Sequence, residues 1–234
     1  MSPTRRAAVR HASTGAPVTA AVRWKACFRV TSWQARPEAV FEAVTDPADL
    51  EDVLAVLAAG APARVDPAKA ATGPGAGWVM LPFLRFGPTR FSDGNRYGVF
   101  YAGRVQATAI AETTYHYARF LAASHEPPTF LGVQMLRCSV KGTMVDIRGA
   151  QVARPDLYDP DPANYGPAQH WADGLHRAGQ DGIVYDSVRH RGGSCVAVFD
   201  PRCVTGCRQV GSLVYEWDGT AIVRAHRLRE VWRP

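Results

Sequence analysis

A chain of 234 residues with 47% hydrophobic and 21% charged side chains has the composition of one globular unit, long enough to bury a core without disulfides or structural metals. Its 27 basic and 21 acidic residues leave a net charge of +6, which fits an anionic partner: a nucleic acid, a phosphate-bearing ligand or an acidic protein. The lysines are Lys25, Lys69 and Lys141 and no Lys/Arg-rich run is present, which argues against direct nucleic-acid binding; arginine is the better fork for phosphate and carboxylate oxygens.

The opening MSPTRRAAVRHASTGAP is basic but has no apolar stretch behind it, so it does not read as a secretory signal. Residues 1–18 are expected to form a flexible arm, residues 19–234 a single domain, and the chain to be cytoplasmic. No apolar run approaches the ~20 residues that a bilayer span requires, and no membrane association is expected. Of the five cysteines, Cys203 and Cys207 have the spacing of half a zinc site, but the lone His226 is all that follows. Reduced thiols and no metal are the expectation.

Alternating apolar and polar positions over residues 23–33 predict a first strand. Pro37 and Pro47 bracket a short helix over 37–45, and Leu50, Val53, Leu54 and Leu57 recur at helical spacing in a second over 48–59. Residues 60–77 are rich in Gly, Pro and Ala and read as a long loop, of the kind that serves as a functional lid or is disordered. Strands are predicted at 78–84 and 97–102, then a helix over 106–123 with Ile110, Thr113, Tyr117 and Phe120 along one stripe. Further strands are predicted at 130–140, 143–147, 182–186, 195–200 and 212–217, with a helix at about 165–178 that contains Gln169, His170, Trp171 and Leu175. Strands with interspersed helices but no regular βαβ alternation predict an α+β fold built on a mixed or antiparallel sheet.

Two blocks carry chemistry. In residues 89–116, Arg90 precedes a strand ending in Tyr101, and a helix then presents Glu112. A cation, a phenol and a carboxylate at one end of a strand–helix unit can hold an anionic ligand beside a group for acid–base or electrostatic work. The same residue types also occur as a surface ion pair beside a half-buried aromatic. In residues 179–201, Ser187 and Arg189 lie in a polar turn closed by Gly192 and Gly193, which is either a phosphate-holding turn or a hairpin with a capping serine.

Taken together, the two blocks resemble the RES family, named for its Arg, Glu and Ser. The resemblance runs through Arg90, Tyr101 and Glu112, then GIVYDSVR with Ser187 and Arg189, then RGGSCVAVFD; the FRV that carries Arg29 looks like the family's first strand. It spans about residues 26–200 and is specific because order, spacing and flanking residues agree together.

The resemblance implies a small mixed-sheet core with surrounding helices, similar to the ADP-ribosyltransferase toxin fold, around a cleft for NAD⁺. It implies a toxin that consumes NAD⁺ as substrate, either hydrolysing or phosphorolysing its glycosidic bond or passing ADP-ribose to a host protein, and an Xre-type antitoxin partner. In that frame Glu112 stabilises the reacting ribose. Arg29 and Arg90 neutralise the pyrophosphate, Tyr101 stacks on nicotinamide or donates its hydroxyl, and Ser187 hydrogen-bonds ribose or phosphate. A non-catalytic nucleotide- or protein-binding module is the alternative.

Overall fold

The computed structural model describes residues 17–34, 66–229 and 231–232. The expected helices at 37–45 and 48–59, and all but the last two residues of the expected arm, lie outside the described residues. Seven strands form one sheet: β1 (Thr19–Ser32), β2 (Phe100–Gly103), β3 (Thr129–Asp146), β4 (Gly182–Asp186), β5 (Ser194–Val198), β6 (Val204–Trp217) and β7 (Ile222–Arg227). Among the described residues four α-helices accompany them: α1 (Ala76–Leu84), α2 (Gln106–Ala123), α3 (Pro155–Tyr158) and α4 (Gly166–Arg177). This is the α+β, mixed-sheet class that the element order predicts.

The strand order is β1-β2-β5-β4-β3-β6-β7, with a further pairing of β1 to β3. That extra ladder closes a circuit through β1, β2, β5, β4 and β3. Every pairing is antiparallel except β3 with β4. The β1–β3 ladder runs from Thr19↔Val145 to Ser32↔Val133, with a register shift between Trp24 and Cys27.

Three apolar clusters hold the sheet and helices together. Val79, Met80 and Phe83 of α1 pack on Phe100, Leu136 and Val198. Leu157 and Leu175, from the two short helices, pack on Phe91, Ile183, Tyr185 and Phe199. Ala109 of α2 packs with Val30, Val133, Met135, Leu213 and Tyr215. Burying side chains of this size contributes about 1.5–3 kcal/mol each. The five cysteines are all buried thiols.

Residues 78–84 are a correction to the sequence reading: they belong to a helix. The run WVMLPFL is apolar throughout because α1 packs against both β2 and β6, so no helical period shows. The strands expected at 130–140 and 143–147 are one continuous strand of 18 residues, β3. No helix among the described residues is long and apolar enough to cross a membrane.

Candidate active site

A cavity of about 500 Å³ opens between α2, the ends of β1 and β2, and the chain around Pro162–Gln169. Its wall includes Arg29, Arg90, Tyr101, Glu112, His116 and Tyr165. Four of the five residues expected to form the site are therefore together. β2 delivers Tyr101, paired with Ala197 of β5. The chain turns at Arg104 and Val105 and enters α2, whose second turn presents Glu112 to the cavity. Residues four apart share a helix face, so His116 lines the cavity one turn further on.

Ser187, the fifth, does not line this cavity. Its hydroxyl donates to Oε1 of Glu112 at 2.5 Å and accepts the backbone N–H groups of Arg189 and His190 at 3.1 and 2.9 Å. Two donors pointing at its oxygen leave its proton for the carboxylate, a short charge-assisted bond. Ser187 thus reaches the ligand space through Glu112, and it also borders a second, more open groove lined by Gln151, Asp186, Arg189 and Arg191.

The β4–β5 loop that carries Ser187 is tightly bound. The Ser187 N–H donates to the Gly193 carbonyl, the Gly193 N–H to the His190 carbonyl, and His190 Nδ1 shares a hydrogen bond with the Thr108 hydroxyl, all at 2.8 Å. A Cβ on Gly193 would stand 2.6 Å from Thr108 Oγ1 and 2.7 Å from His190 Nδ1, so a side chain there cannot coexist with this lock. Glu112 Oε1 also lies 3.9 Å from the Cys195 Sγ. Burial, with the Glu112 charge nearby, raises the Cys195 pKa and keeps that thiol protonated.

The arginines are held differently. Arg90 is only 7% exposed. Its Nη1 donates to the carbonyls of Leu157 and Asp159 at 3.0 and 2.8 Å, and its Nη2 to the Tyr165 hydroxyl at 3.2 Å. The guanidinium also stands 4.5 Å from the centre of the Tyr165 ring. Arg29 donates from Nη1 to the Tyr101 carbonyl at 3.1 Å and lies over the Phe100 ring. Burial lowers its pKa, which an arginine tolerates without losing its charge.

Tyr101 has its hydroxyl occupied: it donates to Thr89 Oγ1 at 2.9 Å and accepts the Phe91 N–H at 3.1 Å. Burial pushes its pKa up to about 12, so at neutral pH it is a neutral phenol. With its hydroxyl committed to these two partners, Tyr101 has its ring left to offer a ligand in the cavity.

Sequence reasoning assigned no role to His116, Tyr165 or Gln169, all of which line the cavity. Each is four residues from a second lining residue, Glu112 and His116 on α2, Tyr165 and Gln169 at the start of α4. That repeat is the signal that could have found them. Gln169 Nε2 donates to the Thr89 carbonyl at 2.8 Å and so ties α4 to the segment bearing Arg90. Among the described residues no cluster of three or more His, Cys, Asp or Glu could hold a metal ion.

Comparison with known proteins adds a family to this geometry. The family model described as RES domain matches residues 61–218. A curated relative, "Uncharacterized protein y4oC" of Sinorhizobium fredii (strain NBRC 101917 / NGR234), is 27% identical over 148 residues, which cover 62% of this chain. The match spans 59% of that relative's length. Among solved structures, the M. tuberculosis MbcT–MbcA toxin–antitoxin complex contains a chain that is 12% identical with a TM-score of 0.42, over 85% of this chain and 87% of that one.

Proposed function

The chain belongs to the RES-domain family, and from that premise we propose that it is the toxin half of a toxin–antitoxin pair, consuming NAD⁺ in the cytoplasm. The observation that carries this reading is the convergence of Arg29, Arg90, Tyr101 and Glu112 on one cavity of a size usual for small-molecule sites.

When nicotinamide leaves NAD⁺ it takes the electron pair of the glycosidic bond, and positive charge builds on the ribose in an oxocarbenium-like transition state. Glu112 is the carboxylate that meets this charge, with Ser187 fixing its Oε1 and leaving Oε2 for the ligand. Arg29 and Arg90 balance the pyrophosphate; with its donors largely committed to Leu157, Asp159 and Tyr165, Arg90 acts mainly through its field. The occupied hydroxyl of Tyr101 supports ring stacking rather than proton donation as its contact with the ligand. A nucleophile then attacks the ribose carbon: water, phosphate or a side chain of a host protein. An Xre-type antitoxin is the partner that holds the activity in check.

The test is the NAD⁺ content of cells after induced expression of the chain and of Glu112→Gln, with and without the cognate antitoxin. NAD⁺ should fall with the first alone. Unchanged NAD⁺ would overturn the reading in favour of a non-catalytic binding module. Intact-mass analysis of the same lysates separates the acceptors: ADP-ribose adducts on proteins mark transfer, and free ADP-ribose or its phosphorylated form marks hydrolysis or phosphorolysis.

A further inference from the structure

His116 stands one helical turn beyond Glu112 on the face of α2 that lines the cavity. Positive charge reaches it from three elements: Arg119 on its own helix, Arg189 from the β4–β5 loop, and Arg90 from the segment before β2. Arg29 adds another guanidinium to the cavity wall, Tyr101, Tyr165 and Tyr185 are phenols of the same wall, and Glu112 is the carboxylate among the described lining residues. Tyr115 packs edge-on to the imidazole at 5.5 Å. No hydrogen bond or ion pair ties the His116 ring to the described residues, so its nitrogens are available at the cavity wall.

Although His116 is exposed as a whole, desolvation where its ring meets the cavity wall, followed by the charges of Arg189, Arg119 and Arg90, pushes its pKa down to about 4. A neutral imidazole beside so many cations is therefore the resting state at physiological pH. An anion seated against Arg90 and Arg119, which line the same cavity, reverses part of the local field: its negative oxygens offset the guanidinium charges and favour a proton on the ring.

We infer that His116 contacts the bound ligand and takes up a proton when a pyrophosphate-bearing nucleotide enters the cavity, coupling affinity to pH. The inference rests on the dinucleotide reading above. Its sign follows from linkage. If binding returns the imidazole toward its ordinary value near 6.5, the complex holds more protons than the free protein between about pH 6.5 and about pH 4. Affinity then rises as pH falls through that window, by at most about tenfold per pH unit for one proton.

The probe is ADP-ribose, whose pyrophosphate stays fully ionised through this window and which lacks the nicotinamide that the reaction removes. Calorimetric titration of the full chain, in paired buffers of different ionisation heat, counts protons taken up on binding. The wild-type chain should take up most of one proton at about pH 5.5 and bind roughly five- to tenfold more tightly there than at about pH 7. His116→Gln should lose both the uptake and the pH dependence. Binding of ADP-ribose by the wild type without proton uptake, or the same uptake in His116→Gln, overturns the role of His116 and leaves the dinucleotide reading standing. No binding at any pH removes the dinucleotide reading and this inference with it.

Discussion

Arg90 gives hydrogen bonds to two backbone carbonyls and a tyrosine hydroxyl and is stacked on that tyrosine's ring, whereas Glu112, in the same cavity wall, has one oxygen tied to Ser187 and the other without a hydrogen bond among the described residues. The first is a charge fixed by the protein's own backbone. It contributes a field and holds α3 and the chain after it against the rest of the site. The second is aimed but unfinished, with lone pairs left for a ligand. A cavity that combines a committed cation with an uncommitted carboxylate is preorganised for charge at one place and open to chemistry at another.

The contrast predicts which substitutions cost activity and which cost stability. Glu112→Gln, which keeps shape and removes charge, should lower kcat for NAD⁺ loss by about 10²–10³-fold with circular dichroism and melting temperature unchanged. A large loss of stability would mean that Glu112 belongs with Arg90 as a structural group. Arg90→Ala should cost stability as well as activity: it strands the Leu157 and Asp159 carbonyls and the Tyr165 hydroxyl, and denaturant unfolding should show a loss of about 3 kcal/mol. Unaltered stability with activity lost would break the comparison.

Smaller effects sharpen it. Ser187→Ala leaves the Glu112 carboxylate unaimed, and kcat should fall about ten- to a hundredfold with KM nearly unchanged, measured by steady-state kinetics. A rise in KM alone would instead make Ser187 a ligand contact. Tyr101→Phe removes two hydrogen bonds but keeps the ring; it should cost about 1 kcal/mol of stability in denaturant unfolding and little kcat. A collapse of kcat in this variant would assign chemistry to the hydroxyl.

The α+β class was legible from element order, and the grouping of Arg90, Tyr101 and Glu112 from their spacing within one strand–helix unit; Arg29 joined them only through the family resemblance. Three features were not legible. α1 packs on two strands, β2 and β6, and is apolar along its whole length, so its run carries neither helical nor strand period. β3 continues through Lys141–Gly142, where a glycine invites a break. The reason for glycine there is space: a Cβ would lie 2.8 Å from an Asp181 carboxylate oxygen and 3.1 Å from the Cys203 sulfur, neighbours that only the fold supplies. The part Ser187 plays was hidden for a related reason. A serine in a Gly-Gly turn reads as a ligand for phosphate, and nothing in the local sequence says that Glu112, 75 residues earlier, occupies its proton.

The most direct test is a crystal structure of the Glu112→Gln protein with intact NAD⁺. The account requires the nicotinamide-bearing ribose within hydrogen-bond reach of the side chain at position 112 and the pyrophosphate on the side of Arg29 and Arg90. NAD⁺ bound outside this cavity, or seated in it with that side chain turned away from the ribose, would contradict it.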